Sequence, residues 1–133
     1  MTNSSLDVVL SFTAGVIGRS DPEKVAHLLA EDAVAHLPVS LEPEPFRGRA
    51  RIMEFMSFAA TVFDNESVSY EVTHTAVDGD TMFISLEVSA RFRTIGQNYR
   101  NFYCFRYTVR DGLIQEYREY TDSKYAASFV LEP

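Results

Sequence analysis

Two periods divide the chain. Over the first half apolar residues recur at helical spacing, and from Val68 onward they alternate with polar ones. In residues 5–18, Leu6, Val9, Leu10, Val16 and Ile17 form a stripe that includes Thr13 and predicts a first helix. Ser20-Asp21-Pro22-Glu23 then offers an N-cap, a first-turn proline and an early acid, the signals of a second helix start. That helix is short, carries Val25, Leu28 and Leu29 inward, and should end near Glu31-Asp32. AVAHLPV (33–39) reads as extended and runs into LEPEPFRGR (41–49), whose prolines exclude helix interior and central strand. From Arg49 the helical period returns: Ile52, Phe55, Met56, Ala59, Val62 and Phe63 make a third helix ending at Asp64-Asn65.

The second half is strand. Val68, Tyr70, Val72, His74 and Ala76 alternate with Ser, Glu and Thr, and Asp78-Gly79-Asp80 signals a tight hairpin. Met82, Ile84, Leu86, Val88, Ala90 and Phe92 share one face of the return strand, which turns at Ile95-Gly96-Gln97. Tyr99, Asn101, Tyr103, Phe105, Tyr107 and Val109 share a face of the next, before a second hairpin at Asp111-Gly112. A last strand, Leu113 to Asp122, and a short helical tail close the chain. Three helices followed by a meander of long strands predict an α+β fold, a curved antiparallel sheet with helices on one face. No repeat, low-complexity tract or linker interrupts residues 1–133, so a single domain is expected.

Composition narrows the partners. A net charge of −7 argues against nucleic acid or an anionic membrane, both of which need a basic face. One cysteine, Cys104, excludes an internal disulfide, and three scattered histidines lack metal-ligand spacing. Gly15 and Gly18 follow no strand and so make no phosphate loop, and no cofactor is expected. The stretch MTNSSLDVVLSFTAGVIG has no Lys or Arg ahead of its apolar run and carries Asp7 at its start, the reverse of a secretory signal. No apolar run approaches the ~20 residues of a membrane span. A soluble, cytoplasmic protein is expected.

The chemistry-bearing stretch is YREYTD (117–122), polar for a strand. Strict alternation puts Ile114, Glu116, Arg118, Tyr120 and Asp122 on one face, and Leu113, Gln115, Tyr117, Glu119 and Thr121 on the other. The longer run YRNFYCFRYTVRDGLIQEYREYTD (99–122) resembles the signature of the SnoaL-like, ketosteroid-isomerase-related branch of the nuclear transport factor 2-like superfamily. The matching positions are Tyr99, Asn101, Tyr103, Cys104, Arg110, Asp111, Gly112, Ile114, Arg118, Glu119, Tyr120 and Asp122, and FRGRARI (46–52) resembles the family's lead into its third helix.

The resemblance implies a cone: a curved antiparallel sheet wrapped around three N-terminal helices, with an internal pocket. It implies a cofactor-independent isomerase, cyclase or hydratase/dehydratase acting on a small apolar, carbonyl-bearing molecule, or a non-catalytic binding or dimerisation module. It also implies homodimers through the outer face of the sheet. In such proteins the face holding the Ile and the terminal Asp looks into the cone. Asp122 would then be a desolvated general base, with His36 at the pocket mouth as acid/base partner. Arg118 and Tyr120 would share the pocket face, and Tyr99, Asn101 and Tyr103 would line it, aiming donors at an oxyanion.

Each residue has a plainer alternative. Asp122 could cap the helix beginning near Ser123. Arg118 could pair structurally with Asp122 or Glu116, Asn101 could brace a neighbouring strand, and His36 could be a satisfied structural residue. Epoxide hydrolases of this fold use an Arg-x-Asp pair where Ser85-Leu86-Glu87 stands here, which speaks against that activity.

Overall fold

A computed structural model describes residues 4–18, 21–38 and 44–130. The first apolar stripe becomes helix α1 (Ser4–Thr13), continued by a π-helical turn at Ala14–Gly18. Val9, Phe12 and Thr13 are fully buried; the Thr13 hydroxyl donates to the Val9 carbonyl at 2.8 Å, which satisfies it inside the core. Gly15 is needed here, because a Cβ on it would lie 2.5 Å from a methyl of Val25.

The second helical segment is a 3-10 helix, Pro22–Leu28, and Asp21 makes no side-chain cap to it; Ser20 lies outside the described residues. Strand β1 (Leu29–His36) begins earlier than expected. Leu29 pairs with Ile114 and Val34 with Glu116, so residues 30–33 bulge against a single residue of the partner strand. The bulge lets Leu29, Ala30, Ala33 and Ala35 all be buried. Residues 39–43, with most of the expected Pro-rich loop's start, are outside the described part. A two-residue strand β2 (Phe46–Arg47) then leads through Gly48 into helix α2 (Arg49–Ala59).

Helix α2 ends before the expected Asp64. The Thr61 hydroxyl and amide both bond to the Phe58 carbonyl, tightening the last turn. Val62 and Phe63 leave the helix to pack in a second aromatic cluster, with Phe63 bridging to Phe92. Four strands follow: β3 (Ser69–Asp78), β4 (Thr81–Arg91), β5 (Asn98–Arg110) and β6 (Leu113–Thr121), then helix α3 (Ser123–Val130). Asp111 and Gly112 both have positive φ, 55° and 75°, as the two-residue hairpin between β5 and β6 demands.

The six strands form one curved sheet in the order β2-β1-β6-β5-β4-β3. All neighbours are antiparallel except β1 and β6, which run parallel. α1, the 3-10 segment and α2 pack on the inner face around Phe12, Ile52, Ile84, Leu86 and Ile114. A smaller cluster of Phe92, Tyr99, Ala126, Tyr125 and Phe129 sits under α3, and Tyr103 touches both clusters.

Two further bulges move side chains away from their expected faces. In β3 Val72 pairs with Leu86 but His74 with Ser85, so the extra residue Thr73 carries His74 to the exposed side. In β6 Thr108 pairs with Glu116 but Val109 with Ile114, leaving Gln115 as the extra residue. Everything after Gln115 is thereby inverted relative to strict alternation.

Candidate active site

The inverted half of β6 decides which side chains meet inside the sheet. Directly paired residues share a face, and the buried residues of β5 are Tyr99, Asn101, Phe105, Tyr107 and Val109. Their row includes Tyr103, and pairing then brings Ile114, Tyr117, Glu119 and Thr121 of β6 to that inner face. Glu116, Arg118 and Tyr120 pair with Thr108, Arg106 and Cys104 and point outward. The expectation that Arg118, Tyr120 and Asp122 face the interior is therefore corrected, and the cause is the one extra residue at Gln115.

Asp122 lies just beyond β6 and is exposed. Its carboxylate accepts from the Tyr125 amide at 2.9 Å, the N-cap bond of α3. Its backbone carbonyl accepts from Ala126 N–H and from the Asn101 side chain. Tyr120 is 45% exposed on the outer face. His36 pairs with Arg118 in register and is likewise outward, with Nε2 3.5 Å from Glu116 Oε1. Burial, then the Arg118 charge, hold its pKa below the ordinary value, with Arg106 and Arg47 adding and Glu116 opposing. Four residues of strand rise, ~13 Å, separate its partner Arg118 from Asp122, so no His36–Asp122 dyad forms.

Tyr99, Asn101 and Tyr103 do lie on the inner face, joined in a chain. Asn101 Nδ2 donates to Tyr99 Oη at 2.8 Å and to the Asp122 carbonyl at 3.1 Å, while its Oδ1 accepts from the Phe102 amide at 2.8 Å. The amide is thus occupied in bracing β5 against the end of β6. Tyr99 and Tyr103 share a 2.6 Å hydroxyl–hydroxyl bond in which either can donate. Burial raises the pKa of both phenols, so both stay protonated.

The residue that sequence reasoning put on the wrong side is Glu119. It pairs with Phe105 on the inner face. The residue as a whole keeps some surface, but its carboxylate oxygen Oε2 has none and accepts no hydrogen bond from the described residues. No ion pair within the described residues neutralises it, and burial alone pushes its pKa up to about 7. Tyr99, Tyr103, Tyr107 and Tyr117 all feel its charge. Tyr107 is held by Thr13 at 3.3 Å, whereas the buried Tyr117 hydroxyl has no partner among the described residues. A carboxyl that titrates near neutrality, set among protonated phenols and Phe105, can exchange a proton with a bound molecule at working pH.

A signal for Glu119 was present in the sequence. Ile114 and Tyr117 are large core-type residues three apart, an odd spacing that a regular strand cannot bring to one face. Among the described residues no three His, Cys, Asp or Glu side chains gather as metal ligands, and no helix is long and apolar enough to cross a membrane.

The SnoaL-like domain family matches residues 9–117. No curated protein matches the chain. Among solved structures, a Jannaschia sp. CCS1 protein provisionally assigned as a SnoaL-like polyketide cyclase superposes with a TM-score of 0.81 at 16% identity, covering 98% of this chain and 93% of its own. An NTF2-like protein from Anabaena variabilis ATCC 29413 gives 0.78 at 22% identity, with 91% and 93% covered. TerC, co-crystallised with polyporic acid, gives 0.80 at 18% identity, with 98% and 100% covered. At these identities the likeness is one of fold.

Proposed function

The chain belongs to the SnoaL-like domain family, and from that membership and the inner-face geometry we propose that it is a cofactor-independent small-molecule enzyme whose general base is Glu119. The ligand is apolar and carbonyl-bearing, seated against the inner face of β5 and β6. The observation that carries this reading is the buried, unpartnered Glu119 carboxylate oxygen among protonated tyrosines.

In the reaction, Glu119 takes a proton from the carbon next to the carbonyl. The C–H electron pair moves into the carbon framework, and negative charge develops on the carbonyl oxygen. When Asn101 donates to Tyr99 and Tyr99 to Tyr103, the Tyr103 proton is left to donate to that oxygen, and each bond polarises the next. Returning the proton at another carbon gives isomerisation; attack by the enolate carbon on a second carbonyl forms the ring bond, and the alkoxide left by the broken C=O π bond takes the proton back from Glu119. Glu119 replaces Asp122 as the base in this scheme because Asp122 is exposed and engaged in the α3 cap.

Deuterium exchange tests it directly. In D2O, NMR should show the α-protons of an aryl ketone such as 1-tetralone exchanging faster with the protein than in buffer. The rate should rise with pH about a midpoint near 7, as Glu119 ionises. Glu119→Gln should slow exchange by roughly a hundredfold or more, the usual contribution of a positioned base. Because TerC was crystallised with polyporic acid, that compound is tested for binding beside 1-tetralone. Exchange that survives in the Gln variant would refute the assignment of the base.

A further inference from the structure

The outer face of the sheet carries a feature that the proposed chemistry does not use. Register lines up His36 of β1, Arg118 of β6 and Arg106 of β5 as direct cross-strand neighbours on that face. Like charges directly opposed on neighbouring strands are destabilising, and this row stands in a chain whose net charge is −7. One acid serves it. Glu116 Oε1 lies 3.5 Å from His36 Nε2 and 3.7 Å from an Arg106 terminal nitrogen, too long at both for a charge-assisted hydrogen bond. The Arg118 Nε–H has no surface and, among the described residues, no acceptor, so a donor already withdrawn from water is left unpaired there. Arg47, one row away and exposed, adds to the positive potential.

We propose that His36, Arg118 and Arg106 form an oxyanion-binding site, in which a phosphate or carboxylate group sits over the two guanidinium groups on the outer face, on the opposite side of the sheet from Glu119. Guanidinium forks match the geometry of such groups. The bound anion relieves the repulsion between the Arg118 and Arg106 guanidinium groups. Glu116 is its competitor, because it holds one carboxylate oxygen near Arg106 and His36.

Inorganic phosphate is the probe, with sodium chloride at matched ionic strength as the control for screening. Phosphate should raise the melting temperature and move the His36 ring resonances where chloride does not. Arg106→Gln and Arg118→Gln should each weaken phosphate binding about tenfold or more. Glu116→Gln should strengthen it several-fold by removing the competitor, and this opposite sign keeps the test decisive if the Arg118 variant does not fold. Sedimentation separates the two sources of the anion. Phosphate that binds without a change of mass assigns the site to a free oxyanion, and phosphate that dissociates a dimer assigns it to a carboxylate of a second copy. Equal responses to phosphate and chloride, or wild-type phosphate affinity in both the Arg106 and Glu116 variants, overturn the site.

Discussion

Glu116 and Glu119 are the same side chain on the same strand, three residues apart, and the sheet treats them in opposite ways. Glu116 faces outward with His36 and Arg106 near its carboxylate and part of its surface in water. Glu119 faces inward with, among the described residues, no cation paired to it and an oxygen without a partner, and its pKa is pushed up to about 7 by burial. Residue type therefore says little about which acid can act as a base near neutral pH. The face decides, and the face is set by one extra residue at Gln115. The contrast between the two sides of β6 can be broken or sharpened by experiment.

The largest effect is expected from Tyr117→Lys. Strict alternation from Ile114 would put Tyr117 on the outer face, whereas the extra residue at Gln115 turns it inward, where it is buried. A buried ion costs several kcal/mol, against a typical total stability of ~5–15 kcal/mol. The variant should lose its cooperative thermal transition by circular dichroism, while deletion of Gln115, which removes the bulge and changes no face, should leave that transition cooperative. A Tyr117→Lys variant that melts like the wild type would sink the bulge account.

Next in size is the pH dependence of stability. The folded pKa of Glu119 is raised from 4.5 to about 7, so between those values the folded state holds a proton that the unfolded state has released. This contribution is complete below the unfolded value and is lost as pH rises through the folded one. Glu119→Gln should match the wild type near pH 4 and exceed it above pH 7 by up to ~3 kcal/mol. Denaturant midpoints across that range check it.

Much of this was legible in the chain. The meander of β3 to β6, the two Gly-containing hairpins, the inward row from Tyr99 to Val109 and the helices ahead of the sheet all follow from periodicity and turn chemistry. What strict alternation could not deliver were the bulges at residues 30–33, Thr73 and Gln115, because a bulge changes parity without changing composition. A count that is off by one residue assigns Arg118, Tyr120 and Asp122 to the interior and Glu119 to the surface. Asn101 illustrates a second limit. Its inward position could be read from the alternation, but its engagement with the Asp122 carbonyl depends on how β6 ends beside β5, a tertiary fact with no local signal.

Asp122 gives a smaller and sharper test. It caps α3, so Asp122→Ala should lower stability by about 1 kcal/mol. It should leave the rate of ketone deuteration at the wild-type level. Paired with Glu119→Gln, this separates a structural acid from a reactive one three residues apart. A large loss of exchange in the Asp122 variant, with stability unchanged, would reverse the two roles.

The smallest expected effect has the opposite sign. His36 titrates below its ordinary 6.5 because burial, then Arg118, disfavour its charged form. The unfolded state therefore takes up its proton first as pH falls. The stability it contributes is full above 6.5 and declines toward the folded value, whereas the Glu119 contribution declines as pH rises. Because the imidazole keeps contact with solvent, its slope is shallower than that of Glu119. Ring resonances followed by NMR should give a midpoint below 6.5, and Arg118→Gln should move it upward while leaving the Glu119 crossover in place. If that one substitution shifts both titrations together, the two faces are coupled through the strand, and the separation drawn between Glu116 and Glu119 fails.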